Sequence, residues 1–241
     1  MRTKISSLFL LLSLLVYTGC GDDDSGPSFV TTPEARSEND ASGKGVYKGV
    51  FIGSSGFIKV NLDNLGDGVI SLTLNLDGES YDLETEQTYN PDVGFQGYFT
   101  GAVTGGLATV GFYTNTTGTE FGFFGVEIPG HPDVSFILVK EKSNALVRCF
   151  EGTFSGSDSG IINFLIVDDE WAALARPDGG SSDDEAELDG ELNGNTLGCD
   201  CDIDGDGTGD MEFTGTISGN SMSGTWAQGE GSGTWSAKRT Y

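Results

Sequence analysis

Alternating apolar and polar positions predict β-strands along much of this chain. In "VISLTLNL" (69–76), isoleucine and leucine occupy every second position, with serine, threonine and asparagine between them. "GFIKVNL" (56–62) alternates in the same way, and "NLGDG" (64–68) has the composition of a turn between the two. A period of two is typical of a strand with one face in a core and the other in water. The pattern therefore predicts an antiparallel hairpin.

Two further segments, "VSFILVK" (134–140) and "GIINFLIV" (160–167), are apolar at consecutive positions. Such runs are typical of strands that are covered on both faces. The segments between strands are rich in Gly, Asp and Asn, and no amphipathic helix of three or more turns follows residue 20. Short strands without intervening helices predict an all-β fold, an antiparallel meander that forms a barrel or a sandwich.

The chain contains an internal repeat. "YKGVFIGSSGFIKVNL" (47–62) aligns with "FEGTFSGSDSGIINFL" (150–165) after one inserted residue. A second alignment pairs "FQGYFTGAVTG" (95–105) with "FTGTISGNSMSG" (213–224). The alternative is that Gly and aromatic residues recur by chance in a chain with 38 glycines.

The repeat divides the chain into two equivalent units of six to eight strands, 45–146 and 147–241, in which Tyr47 corresponds to Phe150. Glycine opposite an aromatic residue lets the ring lie flat over the neighbouring backbone. The C-terminal "SGTWAQGEGSGTWSAKRTY" (223–241) carries this combination twice. These Gly-x-Trp strands resemble those of lipocalin- and avidin-like barrels, and a tryptophan in such a strand more often belongs to the core than to a ligand site.

The N-terminus has the form of a secretory signal. Arg2 and Lys4 precede the apolar run "ISSLFLLLSLLVY" (5–17), which is shorter than the roughly 20 residues that a membrane-spanning helix needs. Thr18-Gly19-Cys20 then resembles the lipobox of bacterial lipoproteins, with Tyr17 where that pattern usually has Leu. The resemblance implies that residues 1–19 are removed and that Cys20 carries the lipid, including palmitate. An ordinary signal peptide with an unrelated cysteine is the alternative.

The segment after Cys20 begins with the acidic run "GDDDSG" (21–26), which resembles the surface-export signal of some Gram-negative lipoprotein families. This resemblance implies a cell-envelope location, as an outer-membrane lipoprotein exposed at the cell surface. The alternative is that the aspartates only keep the segment soluble. Residues 20–44 are polar and carry little to bury, so they are predicted to form the lipidated cysteine and a disordered acidic tether.

The charge of the chain limits its partners. The full sequence has 12 basic and 37 acidic side chains, and removal of residues 1–19 takes away Arg2 and Lys4, which leaves a formal net charge of −27. This charge argues against nucleic acid, which requires a positive footprint. It also argues against docking on anionic lipid, so the membrane is expected to be contacted through the lipid anchor only. An acidic chain is instead suited to binding cations.

"CDCDIDGDGTGD" (199–210) has the spacing of a calcium loop. Calcium prefers six to eight oxygen ligands, and the motif resembles the calcium loops of dockerin and thrombospondin type-3 repeats. Position 12 is Phe213 instead of a bidentate acid, so binding is expected in the weak range of about 10⁻⁴–10⁻³ M. A solvated acidic turn is the alternative. The ligands that the spacing predicts are Asp202, Asp204, Asp206, the Thr208 carbonyl and Asp210.

Three cysteines remain after lipidation, and an exported location permits disulfides. Cys149 opens the second unit, whereas Cys199 and Cys201 lie in its middle. A bridge from Cys149 to one of these two is predicted to crosslink the unit and leave one free thiol. A Cys199–Cys201 bridge would close a very small ring, and we rank it lower.

The candidate chemistry favours binding over catalysis. The only histidine, His131, lies in the loop "PGHPD" with no catalytic motif around it, so we assign no catalytic residue and predict that the protein is not an enzyme.

The predicted function is a non-catalytic envelope lipoprotein, a binding, adhesion or structural module whose partner is an extracellular protein or a glycan. A lipocalin-like carrier of a small apolar ligand is the alternative, and a glycan-acting enzyme is a second one. A hollow barrel would favour the carrier. A packed core with an exposed aromatic or acidic face would favour the binding module. Two carboxylates about 5–9 Å apart in a cleft would favour the enzyme.

Overall fold

A computed structural model describes residues 29–203, 206 and 208–241. Within these residues the chain forms sixteen strands and two short 3-10 helices, Ser37–Asn39 and Ser182–Asp184, and no helix is long and apolar enough to cross a membrane. In chain order, the strands are β1 (Gly45–Ile52), β2 (Phe57–Leu62), β3 (Ile70–Leu76), β4 (Glu79–Glu84), β5 (Phe95–Val103), β6 (Gly106–Thr114), β7 (Phe121–Glu127), β8 (Ser135–Lys140), β9 (Val147–Gly156), β10 (Gly160–Val167), β11 (Glu170–Pro177), β12 (Ala186–Asn193), β13 (Thr196–Cys201), β14 (Met211–Ser218), β15 (Ser221–Gln228) and β16 (Gly231–Arg239).

The strands form two eight-stranded antiparallel units. Strands β9 to β16 make a closed barrel, in which β16 pairs back on β9. Strands β1 to β8 follow the same order, with β8 paired on β1, but β7 and β8 are not hydrogen-bonded neighbours. The first unit is therefore a barrel with one open seam. The predicted all-β antiparallel meander is confirmed, and both units are barrels.

The two units are equivalent in strand order and register at the positions that the first sequence alignment matched. Tyr47 on β1 pairs with Val60 on β2, and Phe150 on β9 pairs with Phe164 on β10. Tyr47 and Phe150 also each face the last strand of their own unit, β8 and β16 respectively. The change from one unit to the other falls between the end of β8 and the start of β9, which is where the alignment places it.

The second sequence alignment is wrong as an equivalence. Residues 95–105 lie mainly on β5, the fifth strand of its unit, whereas 213–224 lie on β14 and β15, the sixth and seventh strands of the other. The physical reason is that alternating glycine and aromatic residues recur wherever a ring lies over a neighbouring strand, so this pattern marks a packing device and not a position in the barrel.

Both barrel interiors are packed with apolar side chains. Strands of the predicted hairpin contribute their alternating positions to the first core, and Ile58, Leu72 and Leu74 are completely buried there. The completely buried aromatic residues of the first core are Tyr47, Phe51, Phe99 and Phe112. The second core contains Phe150, Phe164 and Phe213 together with Trp171, Trp226 and Trp235.

The predicted pairing of rings with glycines is confirmed in the second barrel. Each of its three tryptophans lies against a glycine of a nearby strand, so closely that a Cβ on that glycine would meet the indole ring. The pairs are Trp171 with Gly190, Trp226 with Gly233, and Trp235 with Gly215. Glycine is required at these positions because any side chain would displace the ring.

The barrels contact each other through β1 and β8 of the first barrel and β9, β10 and β11 of the second. Val50, Cys149 and Leu165 form the centre of a separate apolar cluster at this contact. On β10, Phe164 points into the second barrel while Leu165 lies in the contact between the barrels. This explains the apolar run at 160–167, because β10 is buried on both faces. The strand in the run at 134–140, β8, is only partly buried, with Leu138 packed on the first core and Ile137 on the contact between the barrels.

A buried ion pair lies beside the contact between the barrels. Lys48 Nζ is 2.6 Å from Glu141 Oε1, and neither side chain is exposed to solvent. Lys48 Nζ is also 2.9 Å from Glu34 Oε2, which accepts a hydrogen bond of 2.6 Å from the hydroxyl of the last residue, Tyr241. Burial alone raises the pKa of Glu34, but the Tyr241 hydroxyl, Lys48 and Lys59 together lower it to about 2. The cluster joins both ends of the described chain to β1.

The prediction of a disordered tether up to residue 44 is wrong for its described part. The backbone N–H groups of Glu34 and Ala35 donate to Glu141 Oε2 at 2.8 and 3.1 Å. Asn39 is buried, and its carbonyl accepts a hydrogen bond of 2.7 Å from Lys140 Nζ. The segment has few apolar residues, as expected, but it is held by polar groups that lie far away in the sequence.

Candidate functional site

The outer surface of the first barrel carries three aromatic side chains on adjacent strands, Tyr98 on β5, Tyr113 on β6 and Phe124 on β7, which we call the aromatic face. Tyr98 is 51% exposed and Tyr113 is 41% exposed, whereas Phe124 is half-buried between them. The ring centroids of Tyr98 and Phe124 are 5.0 Å apart in an edge-to-face arrangement. Those of Tyr113 and Phe124 are 6.5 Å apart.

Glycines on the same strands bring these rings together. Gly111 on β6 pairs with Tyr98 on one side and with Phe124 on the other, so the two rings meet across a position that has no side chain. A Cβ at Gly111 would lie 2.7 Å from Phe124 Cε2. Gly122 supports the ring of Tyr113 in the same way, with a Cβ position 3.1 Å from Tyr113 Cε1. Gly111 and Gly122 therefore let the three rings pack closely together on this surface.

A groove of about 670 Å³ runs beside the aromatic face. β4 and β5 pair only at Glu84 and Thr100, and the groove lies between β5 and residues 84–87, at and beyond the end of β4. Tyr98 and Phe124 form the apolar side of the groove. Its polar lining consists of Glu84, Thr85, Glu86, Gln87, Gln96 and Thr100.

The sequence prediction did not identify these residues, although a signal for them exists. In "FQGYFTGAV" (95–103) the outward positions alternate with buried ones, and Gln96 and Thr100 are exposed as expected for that face. Tyr98 lies between them on the same outward side. A large aromatic residue at a solvent-facing position of a clearly alternating strand is the feature that marks the aromatic face.

The candidate calcium ligands lie in the loop between β13 and β14. The structure describes Asp202, Asp206, Thr208 and Asp210, whereas Asp204 lies outside the described residues. Among described residues no group of three or more His, Cys, Asp and Glu side chains is arranged to hold a metal ion. The convergence predicted for this loop stays a prediction, because it depends on Asp204.

The described loop residues are organised by carboxylate hydrogen bonds. Asp206 N–H donates to Asp202 Oδ1 at 3.1 Å, and Ile203 N–H donates to Asp210 Oδ2 at 3.1 Å. The hydroxyl and the N–H of Thr208 both donate to Asp206 and hold the pKa of its carboxyl below the usual value. The loop therefore folds back on itself through its own aspartates.

The predicted disulfide from Cys149 is wrong. The structure joins Cys199 to Cys201, both on β13, and Cys149 is a free thiol. Cys149 lies on β9 in the apolar contact between the barrels, where burial raises the pKa of its thiol to about 12. Cys199 and Cys201 are alternate residues of β13 and share one face of it, and their Cα atoms are 5.1 Å apart, closer than alternate residues of a regular strand.

Cys20 and the acidic run at 22–24 lie outside the described residues.

The only histidine of the sequence lies beside an aspartate. His131 Nε2 is 3.6 Å from Asp77 Oδ2, and Ser54 Oγ donates to Asp77 Oδ1 at 2.8 Å, which lowers the pKa of Asp77. A serine nucleophile needs the histidine itself as its base, and here the aspartate lies between the two.

Comparison with protein-family models, with characterised proteins and with solved structures found no match to this chain.

Proposed function

We propose that this protein is a non-catalytic, lipid-anchored binding module of the cell envelope, and that its aromatic face binds a neutral glycan. The observation that carries the proposal is the exposed Tyr98, which packs on the half-buried Phe124 over Gly111 at the side of a polar groove. Clustered exposed aromatic side chains beside a groove are a common feature of binding sites.

The chemistry of the groove fits a sugar. Tyrosine offers an apolar ring and a polar hydroxyl, so it suits a ligand with one apolar and one hydrated side. The C–H face of a sugar ring packs on such an aromatic surface, while its hydroxyls meet carboxylate and amide groups like those of Glu84 and Gln96. Because the ring positions are set by glycines, little conformational entropy is lost on binding.

Charge and packing support the same choice. The formal charge of −27 after removal of residues 1–19, together with Glu84 and Glu86 in the groove, disfavours anionic polymers. The interior of the first barrel is filled by its own side chains, so its outer surface is the part that is free to bind. A packed core with an exposed aromatic and acidic face favours a binding module over a carrier for this barrel.

The test is affinity electrophoresis of residues 29–241 through gels that contain neutral polysaccharides. We expect at least one polysaccharide to retard the wild type and Tyr98→Ala to remove the retardation. Leu107→Ala is the matched control, because Leu107, near the start of β6, is 63% exposed but lies outside the groove. Retardation that is unchanged in Tyr98→Ala would contradict the site, and release of shortened sugars would contradict the non-catalytic assignment.

The anchoring part of the proposal rests on Cys20. Cys20→Ser is expected to move the protein from the membrane fraction to the soluble fraction and to abolish incorporation of labelled palmitate. Replacement of Asp22, Asp23 and Asp24 by Ala is the matched comparison, since it should leave acylation intact and reduce protease access on whole cells. A wild-type protein that is soluble and unlabelled would contradict the lipobox assignment.

We also propose that the loop at 202–210 binds calcium weakly. Calcium that binds only the folded chain stabilises it by about 1.4 kcal/mol at ten times Kd. For two joined barrels of this size, we expect a rise in melting temperature of about 3–6 °C in several millimolar calcium relative to EDTA, and less with magnesium. Asp206→Ala should abolish the rise, whereas Asp183→Ala, in another exposed acidic loop, should not. An equal rise in melting temperature in both variants would contradict calcium binding at this loop, which would then be only a solvated acidic turn.

A further inference from the structure

The open seam of the first barrel contains a mostly apolar groove, which we call the seam groove. It has a volume of about 580 Å³ and is lined by Phe123 of β7 and by Phe136 and Leu138 of β8, among others. The rings of Phe123 and Phe136 meet across the seam, with centroids 4.9 Å apart. The second barrel contributes Ala172 and Glu187 to the lining. At this groove, therefore, two strands that do not pair with each other meet the outer surface of the second barrel.

The edge of β8 that faces the seam has unpaired backbone groups. Just after β8, Glu141 N–H donates to the carbonyl of Val46, the residue opposite it on β1, at 2.9 Å. Hydrogen-bonded pairs alternate along antiparallel strands, so Val139 also bonds to β1. The N–H and C=O groups of Phe136 and Leu138 then point away from β1, to the side on which no described strand pairs with β8. β8 therefore offers a template for one more strand.

β8 lacks the features that normally protect a free strand edge, which are exposed charges, proline and bulges. β7 is interrupted by a bulge before Glu127, where Gly125 has a φ of 53°. By contrast, residues 136–139 of β8 read "FILV" without interruption, and each is only half-buried. The one charged residue of β8, Lys140, is buried. An apolar edge of this kind pairs readily with another chain.

The surface of the second barrel beside this edge is acidic. Glu187, Asp189 and Glu191 alternate along β12, with their side chains exposed on its outer face. Glu187 lines the seam groove, whereas Asp189 and Glu191 line an adjoining groove of about 450 Å³ between β8 and the second barrel. Among the described residues, none of the three carboxylates takes part in an ion pair. Positive side chains at every second residue of a neighbouring strand would complement this row.

We propose that the free edge of β8 binds an extended peptide strand in which lysine or arginine alternates with apolar residues. Successive side chains of a strand point to opposite faces, so the apolar ones can pack on Phe136 and Leu138 while the basic ones meet β12. A second copy of this chain is disfavoured as the occupant, because it would bring another protein of formal charge −27 to an acidic surface. The site is separate from the groove beside Tyr98, so this proposal and the glycan proposal fail independently.

The test is hydrogen exchange, followed by NMR, of ¹⁵N-labelled residues 29–241 with the acetylated and amidated peptide "KVKVKVK". We expect saturable binding that slows exchange of the Phe136 and Leu138 N–H groups by about tenfold at ten times Kd. The matched peptide "KKVVVKK" has the same composition and charge without the alternation. It should bind about tenfold more weakly and leave both N–H groups unprotected, because it cannot place apolar and basic side chains on opposite faces.

Two charge reversals locate the site. Asp189→Lys should weaken binding of "KVKVKVK" about fivefold, since it replaces an exposed attraction with a repulsion. Asp183→Lys makes the same change of net charge in the exposed segment before β12, outside both grooves, and should leave the affinity within about twofold of the wild type.

Four results would overturn the proposal. The first is equal affinity for the two peptides, which would mean that net charge alone attracts them. The second is equal weakening by the two variants. The third is no saturable binding of "KVKVKVK" up to millimolar concentration. The fourth is protection of the Phe136 and Leu138 N–H groups without any peptide, either in a monomer or in a dimer seen by gel filtration, because the edge would then be covered by this chain itself.

Discussion

Glu141→Ala is expected to lower the free energy of unfolding by about 3–5 kcal/mol, measured by urea denaturation. Glu141 is completely buried, where Oε1 accepts from Lys48 Nζ and Oε2 accepts from the N–H groups of Glu34 and Ala35. Its removal leaves Lys48 with one carboxylate fewer and three backbone donors without their acceptor, the N–H groups of Glu34, Ala35 and Val147. Because a protein domain is stable by only about 5–15 kcal/mol, this loss is a large part of the total.

Glu38→Ala is the matched control for this change. Glu38 belongs to the same N-terminal segment, but its ion pair with Arg36 is exposed, with N···O at 3.5 Å. An exposed pair of this kind contributes at most about 1 kcal/mol. Hydrogen exchange of residues 34–42 should also accelerate in Glu141→Ala and not in Glu38→Ala. Equal destabilisation by the two substitutions would contradict the role of the buried pair.

Trp235→Ala is expected to destabilise the second barrel by about 3–5 kcal/mol. Trp235 is 2% exposed, and its ring stacks on Phe213 with an interplanar angle of 10° and lies 4.9 Å from the ring of Phe164. Its N–H is also bonded to the Thr214 carbonyl, so the substitution removes both packing and a hydrogen bond.

The control for Trp235→Ala is Ser236→Ala, the next residue of β16, which is exposed on the outer surface. That substitution should change the free energy of unfolding by less than about 0.5 kcal/mol. Circular dichroism during urea denaturation measures both. If Trp235→Ala unfolds at the same urea concentration as the wild type, the aromatic stack does not hold the barrel together.

The strands and their faces could be predicted because a period of two is a local property of the sequence. The alternation in 69–76 predicted β3, and the apolar run at 160–167 predicted a strand covered on both faces. What covers the second face of β10 could not be predicted, because the contact between the barrels joins residues about a hundred positions apart, such as Val50 and Cys149.

The N-terminal segment and the binding surface show why other features were missed. Residues 34–44 have the composition of a flexible segment, but their backbone is held by side chains far away in the sequence, among them Glu141, Asn64 and Lys140. The aromatic face depends on Tyr98 and Phe124 meeting over Gly111, three residues on three strands. Local patterns identify each strand, but the register between strands decides which side chains meet.

The most direct measurement of the central claim is a calorimetric titration of residues 29–241 with a neutral oligosaccharide derived from the polysaccharide that retards the protein. The account predicts saturable binding, an affinity at least tenfold lower for Tyr98→Ala, and an affinity within twofold of the wild type for Leu107→Ala. The sugar should be recovered intact. Equal affinity of all three proteins for the oligosaccharide would contradict the claim that the aromatic face is the binding site.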